Sequence, residues 1–142
     1  MRLDLTFYGL EPISLNNCQK IVAKGKFPRK YKTKEYVEFE SKINSQIQNY
    51  KAALRKFNSH YDENMHYLVA DFYFYYPVMT KKGSIGKTSK DVDNIIKPVN
   101  DVIFKYLSTD DSQVMSVSAT KIHSENIKIE VTFQTKLISH LR

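Results

Sequence analysis

Asp91-Val92-Asp93-Asn94-Ile95-Ile96-Lys97 places two carboxylates, a carboxamide and an amine within seven residues, and Asp101, Asp110 and Asp111 follow. Crowded carboxylates repel, and each raises the pKa of its neighbours. A divalent cation relieves that repulsion. An all-oxygen set without nearby histidine or cysteine favours magnesium, or manganese, over zinc. Such a cation acidifies a water and offsets charge on an attacked phosphate. Lys97 is suited to stabilise developing negative charge, and Asn94 to hold a carboxylate or a water in place. The chemistry that combines these parts is phosphodiester hydrolysis. Each residue also has an ordinary explanation: Asp93 as a helix N-cap, Asp93 and Lys97 as an exposed ion pair, Asp110-Asp111 as a turn.

Two elements must position this set. Ile95, Ile96, Val99, Val102, Ile103 and Tyr106 recur at helical spacing, which predicts a helix from near Asp93 to about Leu107, with Pro98 in its first turns. Asp91 and Asp93 on extended chain entering that helix project to one side, and Lys97 lies one turn below Asp93. Asp110 and Asp111 fall at the helix's far end. They join the others only if the strand after them returns beside the strand that ends near Pro77.

The rest of the chain supplies a scaffold. Leu3, Leu5 and Phe7 alternate with polar residues as a half-buried first strand. A loop with Pro12 and Asn16-Asn17 follows, then a basic stretch holding Lys20, Lys24, Lys26, Arg29, Lys30 and Lys32. From a Thr33 N-cap, Tyr36, Phe39, Ile43, Ile47, Tyr50, Leu54 and Phe57 mark one long amphipathic helix. Met65 to Val78 reads as a long strand with Leu68, Ala70, Phe72, Phe74 and Tyr76 on one face. Thr80 to Lys90 reads as a mobile basic loop with Lys81, Lys82, Lys87 and Lys90. Two strands close the chain, Gln113 to Ile122 and a second around Ile127 to Phe133. The order β-α-β-α-β-β predicts one α+β domain over residues 1–142: a small mixed, largely antiparallel sheet of about four strands with two main helices.

Bulk properties agree with a nucleic-acid partner. The 142 residues are 42% hydrophobic and 26% charged, as in a folded globular chain, and the net charge is +7. Cys18 is the lone cysteine, so no intramolecular disulfide forms, which fits the cytoplasm. No apolar run is long enough to cross a bilayer. Gly86-Lys87-Thr88 lacks the first glycine of a phosphate loop, Lys81 standing in its place, which argues against a nucleotide cofactor. Counted from Asp91, a calcium loop would need glycine at Ile96 and glutamate at Val102. Tyr73 and Tyr75 offer ring faces for base stacking, for core packing or for a dimer surface.

The blocks Asp91-Val92-Asp93-Asn94-Ile95-Ile96-Lys97, Asn100-Asp101 and Asp110-Asp111-Ser112-Gln113-Val114 together resemble the signature of RusA-type Holliday junction resolvases, D-x-D-N-x-x-K, a following aspartate, then D-D-x-Q-V. The resemblance implies a homodimeric, magnesium-dependent endodeoxyribonuclease that binds four-way DNA junctions and nicks two strands symmetrically, in recombination and repair. By position it implies Asp91, Asp93 and Asp111 as catalytic metal ligands and Lys97 as an essential lysine, with Asp101, Asp110 and Asn94 in supporting places. A C₂ dimer would present two equal sites to a two-fold junction. Lys81, Lys82, Lys87, Lys90, Arg29 and Lys30 are the expected DNA contacts. The competing function is a non-cleaving basic module that binds branched or single-stranded nucleic acid.

Overall fold

A computed structural model describes residues 1–142 except Lys26 and Thr88, with the side chains of Ala23 and Lys24 also outside the described set. Lys24, Lys26 and Thr88, singled out in the basic segments, are therefore not placed further.

The elements in chain order are β1 (Arg2–Tyr8), β2 (Gln19–Lys24), β3 (Phe27–Lys32), α1 (Lys34–Ile47), α2 (Lys51–His60), β4 (His66–Tyr76), α3 (Val92–Phe104), β5 (Val114–His123) and β6 (Lys128–Leu137). The main sheet has the order β1-β6-β4-β5. β6 pairs antiparallel with β1 and β4, and β5 pairs parallel with β4. The fold is therefore α+β with a mixed, mostly antiparallel sheet, as the element order implies. Parallel neighbours need a crossover, and α3 supplies it between β4 and β5.

Alternation decides which sheet face is covered. Leu3, Leu5 and Phe7 of β1, Ile129, Val131 and Phe133 of β6, and Leu68, Ala70, Phe72, Phe74 and Tyr76 of β4 are all buried. Tyr36, Phe39, Ile43 and Ile47 of α1, Leu54 and Phe57 of α2, and Ile95, Val99, Val102 and Ile103 of α3 meet them from the helices. Phe133 lies edge-on to Phe72 at 6.4 Å and to Phe104 at 5.5 Å, so aromatic packing ties α3 to the sheet centre. The opposite face carries Asp4, Asp71, Tyr73, Tyr75, Ser118 and Glu130. Tyr75 lies there, its ring under the Lys128 amine at 4.6 Å and its hydroxyl donating to Glu130 at 3.1 Å.

Two features depart from the order expected of the sequence. The long helix is split, a 3-10 turn over Gln48–Tyr50 separating α1 from α2. Its Thr33 N-cap is as expected, accepting a hydrogen bond from the Tyr36 N–H at 3.1 Å. The basic stretch after the first loop is a β2–β3 hairpin rather than irregular chain. All residues of β3 are exposed. Without a buried face, β3 has no alternation of apolar residues to betray it.

Candidate active site

Asp91 is the N-cap residue of α3, in extended conformation at φ −68° and ψ 133°, and Asp93 lies in the helix's first turn. The Asp91 carbonyl accepts from the Asn94 N–H at 3.0 Å, which closes that turn. The Asp91 side chain makes no capping bond. Both carboxylates are exposed, and neither has a hydrogen-bond or ion-pair partner among the described residues. Negative charge at a helix N-terminus is favourable in itself. Two carboxylates left uncompensated there remain open to an external cation.

The loop that delivers Asp91 is held from β5. The Lys121 amine donates to the Ser89 hydroxyl at 2.9 Å and to the Lys90 carbonyl at 2.7 Å. The Lys90 amine turns inward, 3.5 Å from Glu11 and 5.4 Å from the centre of the Tyr76 ring. Lys90 is thus engaged within the chain, whereas Lys81, Lys82 and Lys87 are exposed with no acidic partner among the described residues. Lys81 and Lys82 sit in a tight turn and Lys87 just after it: Thr80 and Ser84 bond one another, Met79 bridges Ile85, and Gly83 takes φ +81°. Arg29 and Lys30 stand exposed on β3. Lys121 is a positioning residue that no motif announces. Its signal is its register: it follows Ala119 on the helix-covered face of β5, opposite Phe74.

Lys97 lies one helical turn below Asp93, and its amine is 3.2 Å from Asp101 Oδ1. The two line a shallow recess with Leu15, Cys18, Gln19 and Tyr36. Burial, with Asp101 and Glu35 nearby, pushes the Cys18 thiol up to about 11. Asn94 is half-buried beside Asp93.

Asp111 occupies the other end of the crossover. It opens a 3-10 turn, Asp111–Gln113, that leads directly into β5. Asp110 caps that turn, its carboxylate accepting from the Ser112 N–H at 3.3 Å, and bonding to Ser112 draws the Asp110 pKa down. The turn is anchored at the start of β4: the Tyr61 hydroxyl donates to Gln113 Oε1 at 3.0 Å and lies 3.3 Å from the His66 carbonyl. β5 does return beside β4, but parallel to it, with Val114 opposite Leu68 and His123 opposite Tyr76. Asp111 therefore neighbours the beginning of β4 and Asp91 its end.

The 13 residues of α3 span about 20 Å, and the seven steps from Val114 to Lys121 about 23 Å. Two oxygens on one magnesium ion lie no more than about 4 Å apart. Within one chain, then, the structure brings Asp91 and Asp93 together but leaves Asp111 near the far end of the sheet. No group of three His, Cys, Asp or Glu able to hold a metal occurs among the described residues.

No helix is long and apolar enough to cross a membrane. Residues 10–134 match the family model described as Endodeoxyribonuclease RusA. A 52-residue stretch is 40% identical to an uncharacterized protein, YqaN, of Bacillus subtilis (strain 168), covering 36% of this chain and 37% of that one. The likeness to YqaN thus spans little more than a third of that protein's length.

Proposed function

The chain belongs to the RusA endodeoxyribonuclease family, and from that premise we propose that it is a magnesium-dependent, structure-selective endonuclease that resolves four-way DNA junctions by paired nicks, as a homodimer, in recombination and repair. The observation that carries the reading is the exposed, uncompensated Asp91 and Asp93 pair at the head of α3, in a chain of net charge +7. A basic chain that concentrates free carboxylates where a phosphate backbone would approach repels its own substrate unless a cation intervenes.

Asp91 and Asp93 would hold the ion, with Asp111 as third ligand. The donor set, all carboxylate oxygen, fits magnesium or manganese. Such an ion, when bound, acidifies water and offsets charge at the scissile phosphate. Lys97, a turn away, would neutralise charge that develops on the phosphate or the leaving oxygen. For that its amine must leave Asp101, an exposed i,i+4 pair whose rupture costs about 0.5 kcal/mol or less. Asn94 would orient the Asp93 carboxylate. Lys81, Lys82, Lys87, Arg29 and Lys30 would meet phosphates away from the cut.

The test is cleavage of a synthetic four-way junction beside matched linear duplex under magnesium titration. Nicking confined to the junction and dependent on Mg²⁺ or Mn²⁺ supports the proposal. Binding without cleavage at any concentration of either ion supports the second reading, a non-cleaving basic module. That reading draws on one observation, the distance of Asp111 from its partners along a single chain.

A further inference from the structure

We infer that the β2–β3 hairpin is a stacking platform for unpaired bases, with Phe27 and Tyr31 offering their rings and Arg29 and Lys20 meeting the phosphates between them. The inference deepens the nuclease reading and rests on it for the source of those bases, the branch point of the DNA. The binding itself is argued from the hairpin.

The residues sort by face. Paired residues of two antiparallel strands project to one side, and so do residues two apart along a strand. Tyr31 stands opposite Lys20, Arg29 opposite Val22, and Phe27 closes the far end of β3. One face of β3 therefore reads Phe27, Arg29, Tyr31: ring, cation, ring. Pro28, Lys30 and Lys32 take the other face, where Ile21 lies opposite Lys30. The Lys32 amine reaches Glu40 at 2.9 Å. That second face thus meets α1 at the root of the hairpin, and the ring-bearing face looks away from it.

Neither ring holds the fold together. Phe27 is 78% exposed and Tyr31 50%, and no ring pair or amine-over-ring contact among the described residues involves either. They stand about 13 Å apart along the strand, too far to close on one another. The hairpin is a separate two-stranded sheet, and such a sheet is marginal in water unless tied down. Its root is tied: the Thr33 N–H donates to the Cys18 carbonyl at 3.0 Å, beside the Lys32–Glu40 pair. Gly25, at φ +76°, permits the tight turn at the tip. The apolar surface on the outer face is therefore displayed, and on a built support.

Charge selects the occupant. Between Glu11 and Glu35 the sequence holds seven lysines and arginines and no acid, as much positive charge as the net +7 of the whole chain. A second copy of the hairpin is repelled by that charge, and a polyanion is attracted. A polyanion that also presents flat apolar faces is a nucleic acid with open bases. In linear duplex the base faces are stacked on one another, and only phosphates and groove edges are accessible. Where stacking is interrupted, base faces open to aromatic side chains, and cations take the phosphates between. The root gives the location. Gln19, the first residue of β2, lines the recess that holds Lys97 and Asp101. The platform rises beside the residues that would act on phosphate, and it favours branched over linear DNA without reading sequence.

Binding without metal tests this. Phe27→Ala together with Tyr31→Ala keeps every charge and, both residues being exposed, is expected to leave circular dichroism unchanged. By fluorescence anisotropy, affinity for an oligothymidylate of about 20 nucleotides should fall at least about tenfold. Affinity for matched duplex should fall less than about twofold, with the salt slope unaltered. The ratio of four-way-junction to duplex affinity should drop by about threefold or more. Phe27→Trp introduces the chain's single tryptophan, whose emission oligothymidylate should quench and duplex should leave alone. Equal losses on single strand and duplex, no loss on single strand, an unchanged junction-to-duplex ratio, or emission unmoved by saturating oligothymidylate overturns the inference. Emission shifted to the blue by vesicles of anionic phospholipid, with no response to oligothymidylate, would assign the rings to a lipid surface and overturn it equally. A wild type that binds through the two rings yet never cleaves a junction sinks the nuclease reading and leaves the platform standing.

Discussion

At the scale of the residue, the separation of roles is sharp. Asp91 and Asp93 are exposed with no partner among the described residues, Lys97 is lightly held by Asp101, and Lys121 fixes the loop that precedes them. Asp91→Asn should lower junction cleavage by about 100-fold or more while junction affinity is kept or tightened, since a negative charge beside phosphate is removed. Equal nicking by the variant would remove Asp91 from the site. Lys97→Ala should reduce kcat far more than it raises Kd, because its charge is needed where negative charge develops. A defect confined to Kd, read by fluorescence anisotropy, would make Lys97 a phosphate anchor instead.

At the scale of the element, one carboxylate joins three pieces of structure. Glu40 on α1 is buried and receives the amines of Lys32 at the end of β3 and Lys105 at the end of α3, at 2.9 and 3.0 Å. Burial alone would raise its pKa, and the two lysine hydrogen bonds outweigh that and hold it below the ordinary glutamate value. A depressed folded pKa means stability that is present above the unfolded value near 4.5 and lost as pH falls through the lower folded value. Glu40→Gln should therefore flatten the acid limb of the stability–pH curve below about pH 4.5, measured by urea unfolding, with the neutral region lowered uniformly. An acid limb unchanged by the substitution would show that the triad does not link these elements. In the core, Phe133→Ala removes the ring that bridges Phe72 and Phe104, and should cost about 3–5 kcal/mol in the same assay. A loss below about 1 kcal/mol would mean that α3 packs on the sheet without it.

At the scale of the whole molecule, charge governs the encounter with DNA. Lys81, Lys82 and Lys87 lie in the β4–α3 connection, on the side of the sheet that carries Asp91. Replacing all three with alanine should weaken junction binding and flatten the dependence of log K on log salt by about 0.9 for each phosphate no longer neutralised. An unaltered slope would place that turn away from the DNA.

Local sequence determined the chemistry and most of the elements. The carboxylate types, the helical period of α1 and α3, the Thr33 cap and the alternation of β4 are all consequences of neighbours within about ten residues, where backbone geometry alone sets which side chains share a face. Tertiary structure decided what that geometry cannot reach. β3 of the hairpin has no buried face to reveal it, and the break between α1 and α2 falls within an unbroken apolar period. Above all, whether β5 would run with or against β4 depended on pairing between strands almost forty residues apart. That direction separates Asp111 from Asp91, because a helix between parallel strands must return the chain to the end of the sheet where the first strand began.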